Sequence, residues 1–263
     1  MLVQPPQMLL PAFRVSIKTF APGQKLVWSR PVPARLCVMM AGEMRESLRT
    51  GEARYHPSDL VYKPPEEHPR LAFGPGGVRT VTVELDSGQL AGLGQAGLRL
   101  DRAFHGGSAA SAALGARIAA ELRRRDEVTP LAVEGLTLEL LAEACRLVRP
   151  ARTPGGARWL HEIGERVHAE FTRRLTLTGC AQEAGVHPVH LAQSFRAHYG
   201  ESFGRCIRRL RIDFASRALA QTSKPIAEIA LDAGFSDQSH FTKAFKHASG
   251  LTPADFRRAF RRA

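Results

Sequence analysis

The sequence predicts a two-domain α+β protein: a β-rich front half that passes into helices, then an all-α back half in which two small helical units are joined by a long helix. Three observations carry that reading. The 263 residues exceed the roughly 100 to 200 of a single domain, so each half can bury its own core. Near Ser108 the apolar pattern changes from short runs broken by Pro and Gly to three- and four-residue spacing. Finally, the phrase AQEAGVHPVHLAQSFRAHYG, Ala181 to Gly200, returns some fifty positions later as ALDAGFSDQSHFTKAFKHASG, Ala230 to Gly250.

The front region, residues 1–100, contains FRVSIKTF, RLCVMMAG, DLVYK and VRTVTVEL, separated by RPVPA, KPPEEHP and GPGG. Short β runs with turn punctuation at close spacing point to a sandwich or a barrel. Residues 101–148 hold SAALGARIAAELRRR and PLAVEGLTLELLAEACRLV, both amphipathic as helices, with Pro130 suited to a first turn. Their apolar stripes need a cover, either the β region or the same helices of a second chain, so this segment is expected to dimerise or to link. The stretch RPARTPGGAR has no hydrophobic period and reads as a linker at 149–157. From 158 to 263 every segment has helical spacing.

Charge narrows the partner. The net charge is +12 with a pI near 10.4, and residues 151–263 hold 18 Lys and Arg against 10 Asp and Glu, a net of +8 that leaves +4 for the rest. A basic back half suggests an anionic partner, nucleic acid before membrane surface. Cys37, Cys145, Cys180 and Cys206 lie far apart, which indicates neither a zinc module nor a disulfide framework and fits a reduced cytoplasm. No stretch reaches the roughly 18 apolar residues of a membrane span, and MLVQPPQMLLPAFRV lacks a basic leader region, so a soluble cytoplasmic protein with no membrane partner is expected.

The repeat gives the back half a geometry. Ala181, Ala184, Gly185 and Val186 match Ala230, Ala233, Gly234 and Phe235 at an offset of 49, and His190, Leu191, Phe195, Arg196 and Gly200 match His240, Phe241, Phe245, Lys246 and Gly250 at 50. Each unit is a short Ala-rich helix, a glycine turn and a second helix, the arrangement of a helix-turn-helix. The apolar pairs Leu191/Phe195 and Phe241/Phe245 face inward at i and i+4. Val189, Ala192, Gln193 and Arg196 then face outward in the first unit, and Ser239, Thr242, Lys243 and Lys246 in the second. Such a face can read base edges: Gln bonds adenine, Lys or Arg reach guanine, and small apolar groups touch a thymine methyl. For one helix alone the simpler alternative, a solvated polar face, would be preferred; two matching helices on a basic domain favour recognition. Between them FGRCIRRLRIDFASRALAQT forms a rod of roughly 17 residues, about 25 Å long, able to set two recognition helices toward successive major grooves. Arg205, Arg208, Arg209 and Arg211 along it are candidate phosphate contacts.

The segment from about Trp159 to Arg258, and above all IAEIALDAGFSDQSHFTKAFKHASGLTPADFRR, resembles the DNA-binding domain of the AraC/XylS family of bacterial transcription regulators. The resemblance covers about 100 residues of the chain. It implies two helix-turn-helix units joined by a long helix, double-stranded DNA and RNA polymerase as partners, and base-reading positions at Val189, Ala192 and Gln193 and at Gln238, Ser239 and Lys243, with Thr242 beside them. Phosphate contacts are expected at His187, Arg196, Arg208, Arg209, Lys224 and Lys246. The sequence departs from the family pattern at His187 and Pro188, where a serine cap and a polar residue are common, and at Ala192, which shifts the expected base reading toward the second unit.

The front half has a weaker likeness to the cupin-type sensing barrel found in this family, through HPSDLVYKPPEEHPRL with Asp59 and His68. The H-x-H and Glu of metal cupins are missing from RPVPARLCVMMAGEMRES, so His56 and His68 read as structural histidines and neither metal nor cofactor is expected. A barrel without metal can still enclose a small-molecule effector, and Trp28, Arg30, Met39, Tyr55 and Tyr62 are the candidate lining groups. The leading expectation is a DNA-binding transcription regulator, an activator and not an enzyme. Its alternatives are a cupin-type metal enzyme fused to a DNA-binding module, and a repair protein with a reactive thiol at Cys37 or Cys145, neither of which has a local sequence signature of activation.

Overall fold

The structure, a computed structural model, describes residues 7–9, 13–27, 32–48, 51–65, 70–95, 100, 103–148 and 158–262. The linker expected at 149–157 lies outside the described residues, as do Trp28, Arg30 and His68.

Among the described residues the front half contains ten strands: β1 (Gln7–Leu9), β2 (Arg14–Phe20), β3 (Lys25–Val27), β4 (Ala34–Ala41), β5 (Met44–Leu48), β6 (Gly51–Tyr55), β7 (Leu60–Lys63), β8 (Arg70–Phe73), β9 (Val78–Leu85) and β10 (Phe104–Gly106). The four runs legible in the sequence become β2, β9, β4 and β7, the adjacent middle strands of a six-stranded sheet ordered β1-β2-β9-β4-β7-β10. All its pairings are antiparallel, with Leu36 opposite Val83 on one side and Tyr62 on the other. A second sheet, β3-β8-β5-β6, is built from strands of three to five residues such as MRESL and GEARY. Among the described residues the strands form two antiparallel sheets that are not hydrogen-bonded into one closed cylinder.

β4 shows why its sequence is almost continuously apolar: both of its faces are covered. Leu36, Val38 and Met40 join the core beneath the helices, while Cys37 and Met39 join a smaller core with Met44, Tyr55, Val61, Leu71, Phe73 and Val78. Buried among these strands, Glu46 pairs with the Lys63 ammonium and accepts the Tyr55 hydroxyl at 2.7 Å. Each buried charge thereby has an opposite partner, without which it would be costly to hold away from water.

Helix α1 (Ser87–Gln95) follows β9; α2 (Ala109–Arg124) and α3 (Thr129–Val148) follow β10. Ser108 caps α2 by accepting the Ser111 amide, and the Ser111 hydroxyl accepts the Ser108 amide in return. Gly115 lets α2 lie flat on the sheet, because a Cβ there would come within 2.6 Å of a Val38 methyl. The cover for α2 is found within the chain: it packs on β4 and α3 on one side and on the back half on the other. α3 is only partly covered and leaves Leu131, Leu138 and Leu147 exposed.

The back half is helical throughout, with α4 (Arg158–Glu170), α5 (Leu177–Glu183), α6 (Pro188–Tyr199), α7 (Phe203–Gln221), α8 (Ile226–Asp232), α9 (Gln238–Ser249) and α10 (Pro253–Arg262). Its two units are buried differently. The first has a core of its own, in which Leu160, Ile163, Val167, Leu191, Phe195 and Phe203 meet. The second shares one continuous core with the front half: Phe235, Phe241, Phe245, Phe256 and Phe260 are continuous with Ala112, Ile118 and Leu122 of α2 and with the sheet beyond.

Candidate nucleic-acid interface

The sequence repeat is a repeat of backbone geometry. After α5, Gly185 adopts φ +65° and the Val186 amide donates to the Ala181 carbonyl at 3.0 Å; after α8, Gly234 adopts φ +83° and the Phe235 amide donates to the Ala230 carbonyl at 3.0 Å. Both turns end a helix in the left-handed region and satisfy a carbonyl that the helix would leave open. The next helices start differently. His187 caps α6 through Nδ1, which accepts the Val189 amide at 3.3 Å with Pro188 in the first turn, whereas Asp237 caps α9 and accepts the His240 amide at 2.7 Å. That amide bond, joined by one from the Ser236 hydroxyl, holds the Asp237 carboxyl below the usual range. Both helices close at a left-handed glycine, Gly200 and Gly250.

Leu191 and Phe195, like Phe241 and Phe245, are completely buried, so α6 and α9 are each held by one face. On α6 the opposite face exposes Val189, Gln193 and Arg196, with Ala192 half-buried; on α9 it exposes Gln238, Ser239, Lys243 and Lys246, with Thr242 half-buried. Val189 is 56% exposed, a large apolar group in water on the face that would meet bases. The structure therefore brings the candidate base-reading residues of each unit onto one accessible surface. Two more of the expected phosphate contacts are exposed: Arg208 on α7, and Lys224 before α8, which is paired with Asp232 at 2.6 Å.

α7 has 19 residues, close to 28 Å of rod, and its arginines point to different places. Arg211 does not reach outward: its guanidinium donates to the carbonyls of Phe171 at 2.7 Å, Arg173 at 2.8 Å and Gly234 at 2.6 Å. It thus ties the loop before α5 to the turn of the second unit. Gly234 makes that approach possible, since a Cβ there would lie 2.3 Å from the Thr172 carbonyl oxygen. Arg209 faces the front half and is engaged by Glu201 at 2.9 Å and Asp213 at 3.6 Å. Arg209 and Arg211, both expected as phosphate contacts, thus spend these donors on partners within the protein.

Known proteins place this geometry. A family model described as a helix-turn-helix domain matches residues 180–259. The transcriptional activator AarP of Providencia stuartii is 36% identical over 98 residues, covering 37% of this chain and 73% of AarP. The chain belongs to the AraC/XylS family. The bifunctional transcriptional activator/DNA repair enzyme AdaA of Bacillus subtilis is 33% identical over 99 residues, with 38% of this chain and 47% of AdaA covered. A solved transcriptional regulator with an AraC-type DNA-binding domain from Chromobacterium violaceum is 28% identical and covers 39% of this chain and 91% of that chain, at a TM-score of 0.36. The chain spans less than half the length of some curated relatives, 29% in one case.

Outside the recognition helices, the sequence candidates of this AraC/XylS chain separate. Met39 and Tyr55 lie in the core between the sheets, but Tyr62 points to the opposite side, beneath the helices, where its hydroxyl donates to the Leu100 carbonyl at 2.7 Å. These residues do not line one cavity. All four cysteines are buried. Burial pushes the thiols of Cys145 and Cys180 up and that of Cys206 to about 11, which opposes the thiolate that reactivity requires. Among the described residues no three His, Cys, Asp or Glu side chains cluster in a way that would hold a metal ion, and no helix is long and apolar enough to cross a membrane. His56 is exposed on the turn after β6. Sequence reasoning missed the clamp role of Arg211, for which its position on the rod offers no signal.

Proposed function

We propose that this chain is a sequence-specific DNA-binding transcription regulator of the activator type, acting on double-stranded DNA in the cytoplasm and working with RNA polymerase. The observation that carries the reading is the pair of matching turns that hold α6 and α9 by their buried faces and leave Gln193, Arg196, Gln238, Ser239, Lys243 and Lys246 in water. Lys and Arg supply salt-dependent phosphate affinity, and the polar groups at the start of each recognition helix supply sequence choice. The name of AarP, an activator, supports the direction of control.

The domain division that fits this role is 1–100 as a sensing unit, 101–148 as a helical linking and dimerisation segment, and 158–263 as the DNA-binding unit. Two facing antiparallel sheets support reading the front half as cupin-like in architecture. The exposed Leu131, Leu138 and Leu147 of α3 support a homodimer through that helix. An effector acting on the front half has a direct mechanical route, because α2 lies in one core with both the sheet and the second helix-turn-helix unit.

The test is selection of bound fragments from genomic DNA by the full chain, followed by footprinting. A recurrent site with two protected boxes about one helical turn apart per monomer is expected. Uniform, sequence-independent retention at moderate salt would overturn the reading.

A further inference from the structure

The two recognition helices are started by caps of different chemistry. Asp237 opens α9 with a carboxylate that stays ionised near neutral pH, because the His240 amide and the Ser236 hydroxyl hold it below the usual range. His187 opens α6 with an imidazole. Its Nδ1 accepts the Val189 amide at 3.3 Å, and Pro188 between them has no N–H to offer, so Val189 carries the first amide of the helix. The neighbouring helices of this unit use hydroxyl caps, Thr176 for α5 and Ser202 for α7.

An imidazole nitrogen accepts a hydrogen bond only while it carries no proton. The cap therefore requires the neutral ring, and accepting at Nδ1 places the single ring proton on Nε2. Protonation turns Nδ1 into a donor facing another donor, and it sets a positive charge at the positive end of the α6 dipole. His187 is exposed, so solvent protons reach it. Imidazole is the side chain whose charge ordinarily changes between about pH 5 and 8. The elements packed against α6 are α4, α5 and α7. Glu183 of α5 is paired with Arg166 of α4, His190 of α6 has its ring 5.6 Å from that of Trp159 on α4, and Arg205 and Arg208 of α7 are exposed. Among the described residues no acid forms an ion pair with His187 that would offset the lost cap.

We propose that His187 is a positioning residue for base reading by the first unit, which discriminates its DNA box only while this imidazole is neutral. The inference rests on the regulator reading and adds proton control of one of its two reading helices. Val189, whose amide the cap holds, and Gln193 one turn further on sit on the face turned to bases, so fraying of the first turn takes Val189 out of register. The charge gained on protonation attracts phosphates of any sequence. Acid therefore lowers the ratio of cognate to random affinity rather than affinity as such. α9, held by Asp237, keeps its discrimination.

The test uses the full chain and three duplexes: one with both selected boxes, one with the α6 box scrambled, and one with the α9 box scrambled. Fluorescence anisotropy gives the ratio of dissociation constants for each box. For the α6 box the ratio should fall roughly fivefold between about pH 8 and about pH 5.5, the equivalent of one lost cap. H187S and H187D, whose oxygens accept at both values, should keep it within about twofold, and H187A should give the low ratio at both. Circular dichroism checks that each variant keeps its helices. An α6 ratio that does not change with pH in the wild type, an H187S ratio that falls as the wild type does, or an H187A ratio equal to the wild type at the higher pH overturns the proposal. The free chain gives an independent reading: nitrogen chemical shifts of histidine-labelled protein should show His187 as the Nε2–H tautomer at the higher pH, and the Nδ1–H tautomer would overturn it as well. Loss of discrimination at both boxes and both pH values strikes the regulator reading, whereas discrimination at the α9 box with a pH-independent α6 box strikes only the cap.

Discussion

Replacing Arg211 by methionine keeps the stem that packs against the helix and removes three donated hydrogen bonds, to the carbonyls of Phe171, Arg173 and Gly234. A hydrogen bond from a charged donor is worth about 1.5 to 3 kcal/mol when buried. Arg211 is half-exposed, so water recovers part of the loss, and about 2 to 4 kcal/mol in total is the expected destabilisation. The consequence for DNA is sharper than for stability, because these bonds tie the α4–α5 loop to the Gly234 turn. Each unit should still bind its own box, with single-box affinity within about twofold of the wild type, while affinity for a correctly spaced two-box site falls about tenfold as the second unit loses its preset orientation. The assay is a series of duplexes in which the two boxes are moved apart by one or two base pairs, with urea unfolding in parallel. The wild type should show one sharp spacing optimum, and R211M a broad one. An unchanged optimum together with a stability loss below about 0.5 kcal/mol would refute the clamp.

Three further outcomes follow from the same structure. K243A should lose about 1 to 3 kcal/mol at the cognate site and relax one base position; equal loss on cognate and random duplexes would make Lys243 a phosphate contact. Burial raises the Asp213 carboxyl to about 6 from 3.8, so the folded state favours the protonated acid. The stability Asp213 contributes is full below about pH 4 and lost as pH rises through 6, by roughly 3 kcal/mol at most. D213N should therefore melt higher than the wild type at pH 7.5, with the gap closing by pH 4, and a pH-independent gap would contradict this. G115V forces a branched side chain against Val38 and should cost about 1 to 3 kcal/mol, read by urea unfolding, with front half and second unit loosening together because they share a core.

How far the sequence reaches depends on the range of the interactions involved. The helix-turn-helix units were legible because everything that defines them is local: the i, i+4 pairs Leu191/Phe195 and Phe241/Phe245, the glycines that end α5 and α8, and the caps within three residues of each start. The middle strands of the large sheet were legible for a related reason, since burial on both faces leaves an unbroken apolar run in β4. MRESL and GEARY were not, because short charged strands carry no such run and are strands through pairing, MRESL with both GEARY and β8. Tyr55 and Tyr62 looked alike as candidate lining groups, yet they face opposite sides of the front half, and only pairing register assigns the side.

The sequence by itself determined that two recognition helices exist, which residues they bury and which they show to water. Only the tertiary structure decided what the arginines of the rod do. Arg208, Arg209 and Arg211 fall within four positions; an α-helix turns about 100° per residue, which separates Arg209 from the other two, while Arg208 and Arg211, three apart, share a flank and differ only in what lies beside each. Arg208 meets water, Arg209 meets Glu201 and Asp213, and Arg211 meets three backbone carbonyls from distant segments. Composition counts them as equal charges; their partners, remote in the chain, separate them.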